Sequence, residues 1–392
     1  MPQLSEAEQT FLQRLSVFAG SFSREAMLAV STDKHITQGH AIHLLDQLVK
    51  KEVIVIETDD PEEPRYRLPE QVRTTAHAQL VDYGEAEVVY NRLFAFYSAL
   101  AEQVLQEAFG PQRLVWMERL EREHTNLHAL LSWLVAHDDA ERGLQLAYLL
   151  QELWFEETHT SEGRTWFETL LALPQSATRT ILRAQALDFA GALALNQGDY
   201  GSARELKAEG LSILRDLGDP VRLSYGLLHM GHLVGYAQGD LQAARALYEE
   251  ALNRFRELSH GEGTAHALAN LGTATILLGD YATARPFVDE SLRIYWGLGF
   301  EWDMALSLGR AAGIAAGNNQ SERALRLAGA SAAQCARIGV SMPKIFHERS
   351  ERMIERARRA LDEATQEALW KEGQEMTMEQ AVAYALEETR NE

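Results

Sequence analysis

Histidines at helical spacing are the first residues to weigh for chemistry: His124 and His128 stand four apart, His229 and His232 three apart. On a helix each pair shares one face, as zinc ligation needs, but a zinc site takes three or four ligands and each pair offers two. "EREHTNLHALL" also lacks the H-E-x-x-H order that places a general base between two ligands. The expectation is structural or surface histidine, no metal and no cofactor. The adjacent carboxylates Glu156-Glu157 and Glu249-Glu250 point apart on a helix and read as solvated faces rather than acid/base dyads. Cys335, the single cysteine, excludes an intrachain disulfide or thiolate cluster and reads as a small helix-face residue. G-x-S-x-G is absent, and so is G-x-x-x-x-G-K-[ST]; there is no Gly-Lys dipeptide at all. An enzyme is not expected, and a metal-dependent one is the weakest of the function classes considered.

Composition narrows the rest. A chain of 392 residues with 46% apolar content has room for two or three domains with continuous cores. Against 57 acidic residues stand 37 basic ones, and a net charge of −20 is the wrong sign for general attraction to nucleic acid. Apolar runs break before the roughly 18 residues a membrane span needs, and "MPQLSEAEQT" has neither the basic start nor the apolar core of a signal peptide, so a cytoplasmic chain is expected. Nine prolines amid abundant helix formers suggest a mostly α fold.

The elements that must position any site repeat themselves. Gly-Asp-x-x-x-Ala-Arg is written three times, in "NQGDYGSARE", "AQGDLQAARA" and "LLGDYATARP". The Gly-Asp pairs fall at 198–199, 239–240 and 279–280, and a second glycine lies about two helical turns before each, at Gly191, Gly231 and Gly272. A fixed period near 40 residues means a repeat array. Gly suits the left-handed residue that closes one helix, and Asp suits the cap that opens the next. Helices joined so tightly cross closely only if small residues meet, which gives Gly191, Gly231 and Gly272, and Ala203, Ala244 and Ala284, their reason. Arg204, Arg245 and Arg285 read as solvated or inter-repeat contacts. Pro286 implies either a kinked helix or one starting near Thr283. A degenerate fourth copy has Asn318-Asn319 in place of Gly-Asp, with Ala324 in the small slot.

The first eighty residues follow another plan. Ser5 and Glu8 have capping-box spacing before an apolar face of Phe11, Leu12, Leu15 and Phe18, and a second helix restarts after Ser23. A third helix, about Thr37 to Lys51, precedes a β-branched run at Val53 to Ile56, an acidic turn and a returning strand at Tyr66 to Leu68. Three helices and a β-hairpin make a winged helix. Its candidate DNA or domain contacts are His40, His43, Gln47, Lys50 and Lys51. Glu57, Asp59, Asp60, Glu62 and Glu63 at the wing would repel phosphates, so nucleic acid is an unlikely partner, and direct DNA binding is kept as the alternative function.

The repeat pattern resembles tetratricopeptide repeats. With its longer period, and with the phrases "LSVFAGSF", "LLDQLVKKEVI", "YRLPEQVRTTAHAQL" and "WMERLEREHTNLHALLSWLV" in order, the chain resembles the winged-helix and sensor half of bacterial signal-transduction ATPase (STAND) regulators of the MalT, AfsR and LuxR type. That resemblance implies a winged-helix module at 1–83, a helical connector at 84–174, tetratricopeptide repeats forming a right-handed superhelix at 175–340, and C-terminal capping helices at 341–392. The family's phosphate-binding loop and LuxR-type helix-turn-helix are missing, so the chain is either a stand-alone remnant or a piece beginning after an ATPase core. Such a core would then be one partner. The tetratricopeptide face pattern implies a concave groove lined by Gln185, Asp188, Ala192 and Leu195; by Tyr225, Leu228, His232 and Tyr236; and by His266, Ala269, Thr273 and Ile276. The implied function is a non-enzymatic signalling scaffold, with a protein, peptide or small effector held in the groove and its binding relayed through the winged helix to transcription. A homo-oligomer is compatible with this, and no membrane partner is expected.

Overall fold

The computed structural model describes residues 3–58, 63–107, 112–156, 158–237, 239–338, 351 and 354–387, excluding the side chains of residues 236 and 237. It forms two compact units, one of residues 1–108 and 112–178, the other of 109–111 and 179–392. Among the described residues no helix is long and apolar enough to cross a membrane.

The first unit begins as a winged helix. Helix α1 (Glu6–Leu15) opens on the expected capping box: Ser5 Oγ accepts from the Glu8 amide, and the Ser5 amide donates to the Glu8 carboxylate at 2.8 Å. Strand β1 (Phe22–Ser23), α2 (Arg24–Ser31), α3 (Gln38–Lys50), β2 (Val55–Ile56) and β3 (Arg65–Arg67) follow. The expected hairpin is in fact a three-stranded antiparallel sheet in the order β1-β3-β2, with Phe22 opposite Tyr66 and Ile56 opposite Tyr66 on the other side. A two-residue strand shows no alternation, so β1 left no pattern in the sequence. Its Phe22 stacks on Phe18 with ring centroids 4.6 Å apart, and both join Phe11, Leu15, Met27 and Leu45 in a fully buried core.

Seven helices continue this unit: α4 (Glu70–Asp82), α5 (Ala86–Gln106), α6 (Arg113–Glu121), α7 (His124–Ala136), α8 (Ala140–Leu149), α9 (Gln151–Phe155) and α10 (Thr160–Ala172). The corner between α6 and α7 is pinned to the winged helix by a buried carboxylate. Glu123, 3% exposed, accepts from Arg65 at 2.7 Å, from the Tyr97 hydroxyl at 2.7 Å and from Asn126 at 2.9 Å. Asn126 in turn bonds the Gly20 amide and the Ser21 carbonyl. The buried charge is thus both paired and fully hydrogen-bonded, the condition under which burying it is tolerable.

The second unit stacks hairpins: α11 (Ile181–Asn196) with α12 (Tyr200–Leu217), α13 (Pro220–His232) with α14 (Leu241–Glu257), α15 (Gly261–Leu277) with α16 (Tyr281–Leu298), and α17 (Glu301–Gly317) with α18 (Ser321–Ile338). The hinge chemistry is as the sequence implies. Gly198, Gly239 and Gly279 take φ of +77°, +71° and +82°, and Asp199, Asp240 and Asp280 each accept the backbone amide three residues on. In the fourth copy the expected register shifts by one residue: Asn319, at φ +59°, holds the glycine position, and Gln320 stands where Asp stands elsewhere. Ala203, Ala244, Ala284 and Ala324 are wholly buried in the small slot.

Two irregularities have physical causes. Gly231 precedes its hinge by eight residues, against seven for Gly191 and Gly272, and the extra residue is absorbed in a π turn, Leu233–Ala237, that extends α13. At Gly231 the Tyr248 ring lies where a Cβ would be, so only glycine fits. Helix α16 runs from Tyr281 straight through Pro286, rather than starting near Thr283. Beyond α18, where residues 341–350 lie outside the described ones, helices Glu363–Glu375 and Met378–Leu386 close the stack. Leu369, Val382 and Ala385 extend the core of α17 and α18, while Arg285 and Arg323 donate to the Ala385 carbonyl, satisfying the helix end.

Substitutions at two glycines of the third hairpin should have opposite signs. Gly279→Ala, which forces a Cβ into left-handed backbone, should lower unfolding stability by roughly 1–2 kcal/mol. Gly297→Ala, inside α16 with open space around it, should raise it by about 0.5–1 kcal/mol. Urea melts of the two variants check both directions.

Candidate functional site

A seam of polar side chains runs along the first helices of the hairpins, starting from a misplaced charge on α12. Four residues after the small-slot alanine, copies two and three place Tyr248 and Val288 in the core, and copy one places Lys207. Only 4% exposed, Lys207 runs its stem past Gly191 and sends Nζ to Asp188, at 2.8 Å from Oδ1 and 3.0 Å from the backbone carbonyl. The other carboxylate oxygen accepts from His229 Nδ1 of the next hairpin at 2.5 Å. One turn on, His232 Nε2 donates to Asn270 Oδ1 at 3.0 Å, and the Asn270 amide donates to the His266 carbonyl. His266 Nδ1 meets the Tyr295 hydroxyl at 2.9 Å and lies 3.7 Å from the Asp303 carboxylate, while its Nε2 lies 3.8 Å from that of Glu262. Thr273 accepts from Arg310 at 2.9 Å, so the seam reaches from α11 to α17.

Its electrostatics follow from partial burial. Burial alone would raise the Asp188 carboxyl, but the His229 and Lys207 charges outweigh it and hold the group well below the usual carboxylate range. Burial, reinforced by the His229 charge, pushes His232 down to about 3. Burial likewise moves Asp303 up and His266 down, so this facing pair leans toward its neutral forms. Tyr225, whose ring lies 6.4 Å from His266, is pushed up by burial and by the Glu262 charge. Fixed carboxylate, neutral imidazole, phenol and guanidinium groups on one face offer hydrogen bonds of both polarities beside aromatic rings.

The expected groove residues divide. Gln185, Asp188, Ala192, Leu195, Tyr225, His232, His266 and Thr273 are half-buried. Leu228, Ala269 and Ile276 are corrected: at 2%, 2% and 6% exposure they belong to the core, and His229, one residue past Leu228, faces the seam instead. The Tyr236 side chain lies outside the described residues. Lys207, Asn270, Asp303 and Arg310 were missed, and His229 was weighed as a metal ligand rather than as a groove residue. Only Lys207 left a signal, as a charge in an apolar repeat slot.

The winged helix holds few free cations. His40, His43 and Lys50 are exposed on α3 beside exposed Asp46, and His43 bonds Gln47 at 2.9 Å. Lys51 is exposed too, with its Nζ held by Glu8 at 2.6 and 2.8 Å. Arg65 is buried on Glu123, and Arg67 pairs with Glu57. Asp59, Asp60, Glu62 and, elsewhere, Glu157 lie outside the described residues. Cys335 is buried, and burial pushes its thiol up, which disfavours the nucleophilic thiolate.

Residues 4–81 match the family model of a winged helix-turn-helix domain, and residues 224–295 match that of the tetratricopeptide repeat. The chain thus joins a winged helix to a tetratricopeptide-repeat array. Among particular relatives, proteins of Mycobacterium bovis and Mycobacterium tuberculosis named "Putative HTH-type transcriptional regulator" are 34% identical over 241 residues, 59% of this chain and 27% of theirs. The chain therefore spans about a quarter of the length of those relatives. Among solved structures, a signal transduction ATPase with numerous domains (STAND) protein with a tetratricopeptide repeat sensor, from Pyrococcus horikoshii, is similar at 14% identity with a TM-score of 0.42, covering 94% of this chain and 66% of its own. BtubC from P. vanneervenii is similar at 16% identity with a TM-score of 0.40, covering 54% and 92%.

The seam sets a pH dependence. His232 titrates near 3 when folded and near 6.5 when free, so between those values the unfolded chain binds the extra proton. Its contribution is complete above about pH 6.5 and is lost as pH falls toward 3. Thermal melts should show the midpoint dropping between neutral pH and about pH 5, and His232→Gln should flatten that slope.

Proposed function

We propose that the chain is the sensor and regulatory part of a transcriptional regulator. It is a non-enzymatic, cytoplasmic scaffold that captures a protein, peptide or small effector on the concave face of the repeats and relays capture through the winged helix. The observation that carries this reading is the polar seam, which ties the first helices of four successive hairpins together by side chains rather than by apolar packing alone. A ligand inserted among these groups would exchange hydrogen bonds with several hairpins at once and so alter how they stack. The transcriptional setting is supported by the name of the mycobacterial relatives, and an ATPase core resembling that of the STAND family is a candidate partner.

Direct reading of DNA by this domain alone is disfavoured. Residues 1–83 hold eight basic and thirteen acidic side chains, and Lys51, Arg65 and Arg67 are committed to internal carboxylates. Phosphate neutralisation supplies most of the non-specific affinity, which such a surface lacks.

Partner capture from a lysate by the full chain should fall at least tenfold with Tyr225→Ala plus His229→Ala, and should persist with Lys50→Ala. Retention by the double variant, with its circular dichroism unchanged, would remove the groove from the function. A fluorescence-polarisation titration at low salt, where electrostatic affinity is greatest, should show no saturable DNA binding. Tight binding there would instead support the winged helix as a DNA reader.

A further inference from the structure

We propose that the corner between α6 and α7, facing the start of α10, is a divalent transition-metal site with His124, His159 and Glu162 as ligands. Their ligand atoms lie within 4.8 Å of one another. His124 Nε2 is 2.7 Å from Glu162 Oε2, His159 Nδ1 is 3.6 Å from the same oxygen, and the two imidazole centroids are 4.7 Å apart. Ligands of a tetrahedral ion with bonds of 2.0–2.1 Å stand about 3.3 Å apart, so small side-chain adjustments close the set around an ion. Two imidazoles and one carboxylate suit zinc or a neighbouring first-row ion, whereas calcium and magnesium take oxygen shells.

What separates this cluster from a chance meeting of surface groups is the shell behind it. Glu121 accepts from His159 Nε2 at 3.0 Å, which fixes the ring with Nδ1 turned toward Glu162. The Trp166 indole donates to Glu162 Oε1 at 3.3 Å and leaves Oε2 for the ligand position. Each of these is an outer-shell contact of the kind that orients metal ligands. Neighbouring Glu123 is locked by Arg65, Tyr97 and Asn126, so the chain from Glu121 to His124 is held on a rigid corner. The N-termini of α7 and α10 oppose a cation here, and the Glu121 and Glu162 carboxylates offset them. Three protein ligands leave a fourth position for water. His128, although one turn from His124, packs edge-on against Trp166 with centroids 5.0 Å apart and is outside the set.

The test is a titration of the full chain, stripped with chelator, with Co(II) and then Zn(II), followed by the visible ligand-field spectrum and calorimetry. The expected result is saturable uptake of one equivalent of Co(II), displaced by Zn(II). Glu121→Gln should weaken it about 10–100-fold, His159→Ala or Glu162→Gln should weaken it further, and His128→Ala should leave it unchanged. Wild-type protein that shows no stoichiometric uptake overturns the proposal without recourse to any variant. Undiminished uptake by a His159→Ala plus Glu162→Gln chain with wild-type circular dichroism overturns it equally.

Discussion

The two-residue hinge, a left-handed residue followed by a capping carboxylate, is the constraint from which the repeat unit follows. Closing one helix and opening the next within so short a turn forces the pair into close antiparallel contact, and close contact admits only small side chains where the axes approach. Ala203, Ala244 and Ala284 are buried for that reason, and Gly191 leaves the lane through which the Lys207 stem passes. The polar seam therefore depends on that close crossing: without Gly191 there is no room for the lysine, and without the lysine the Asp188 carboxylate loses its ammonium partner at 2.8 Å. The fourth copy shows how far the chemistry can drift. Asn, the non-glycine residue that best tolerates left-handed backbone, holds the hinge at 319.

Charge in the first unit is arranged inward. Glu123 collects Arg65, Tyr97 and Asn126, Glu8 collects Lys51, and Arg14 lies between Asp33 and Glu85. A winged helix that reads DNA would spend such cations on phosphates. Here they hold the module's own helices and the connector together.

Much of the fold was legible because its signals are local and repeated. Capping boxes, Gly-Asp hinges and the small slot each depend on residues within a turn or two of one another, and three copies let accident be set aside. The parts that escaped are those set by distant residues. Strand β1 exists because β3 pairs with it, and nothing in Phe22-Ser23 alone says so. Leu228 was misassigned to the groove because the tetratricopeptide face pattern does not say which of its positions are covered by the neighbouring hairpin, and His229, one residue on, faces the seam instead. His124 looked like half of an i, i+4 pair with His128, whereas its partners, His159 and Glu162, sit more than thirty residues away.

The π turn at the end of α13 works as a phase slip. It takes up the added residue within one wide turn, so the hinge at Gly239 keeps its place although eight residues rather than seven separate it from Gly231. The copies that look interchangeable in a sequence comparison therefore differ in backbone, because the first helix of the second hairpin ends in a π turn where α11 and α15 are regular.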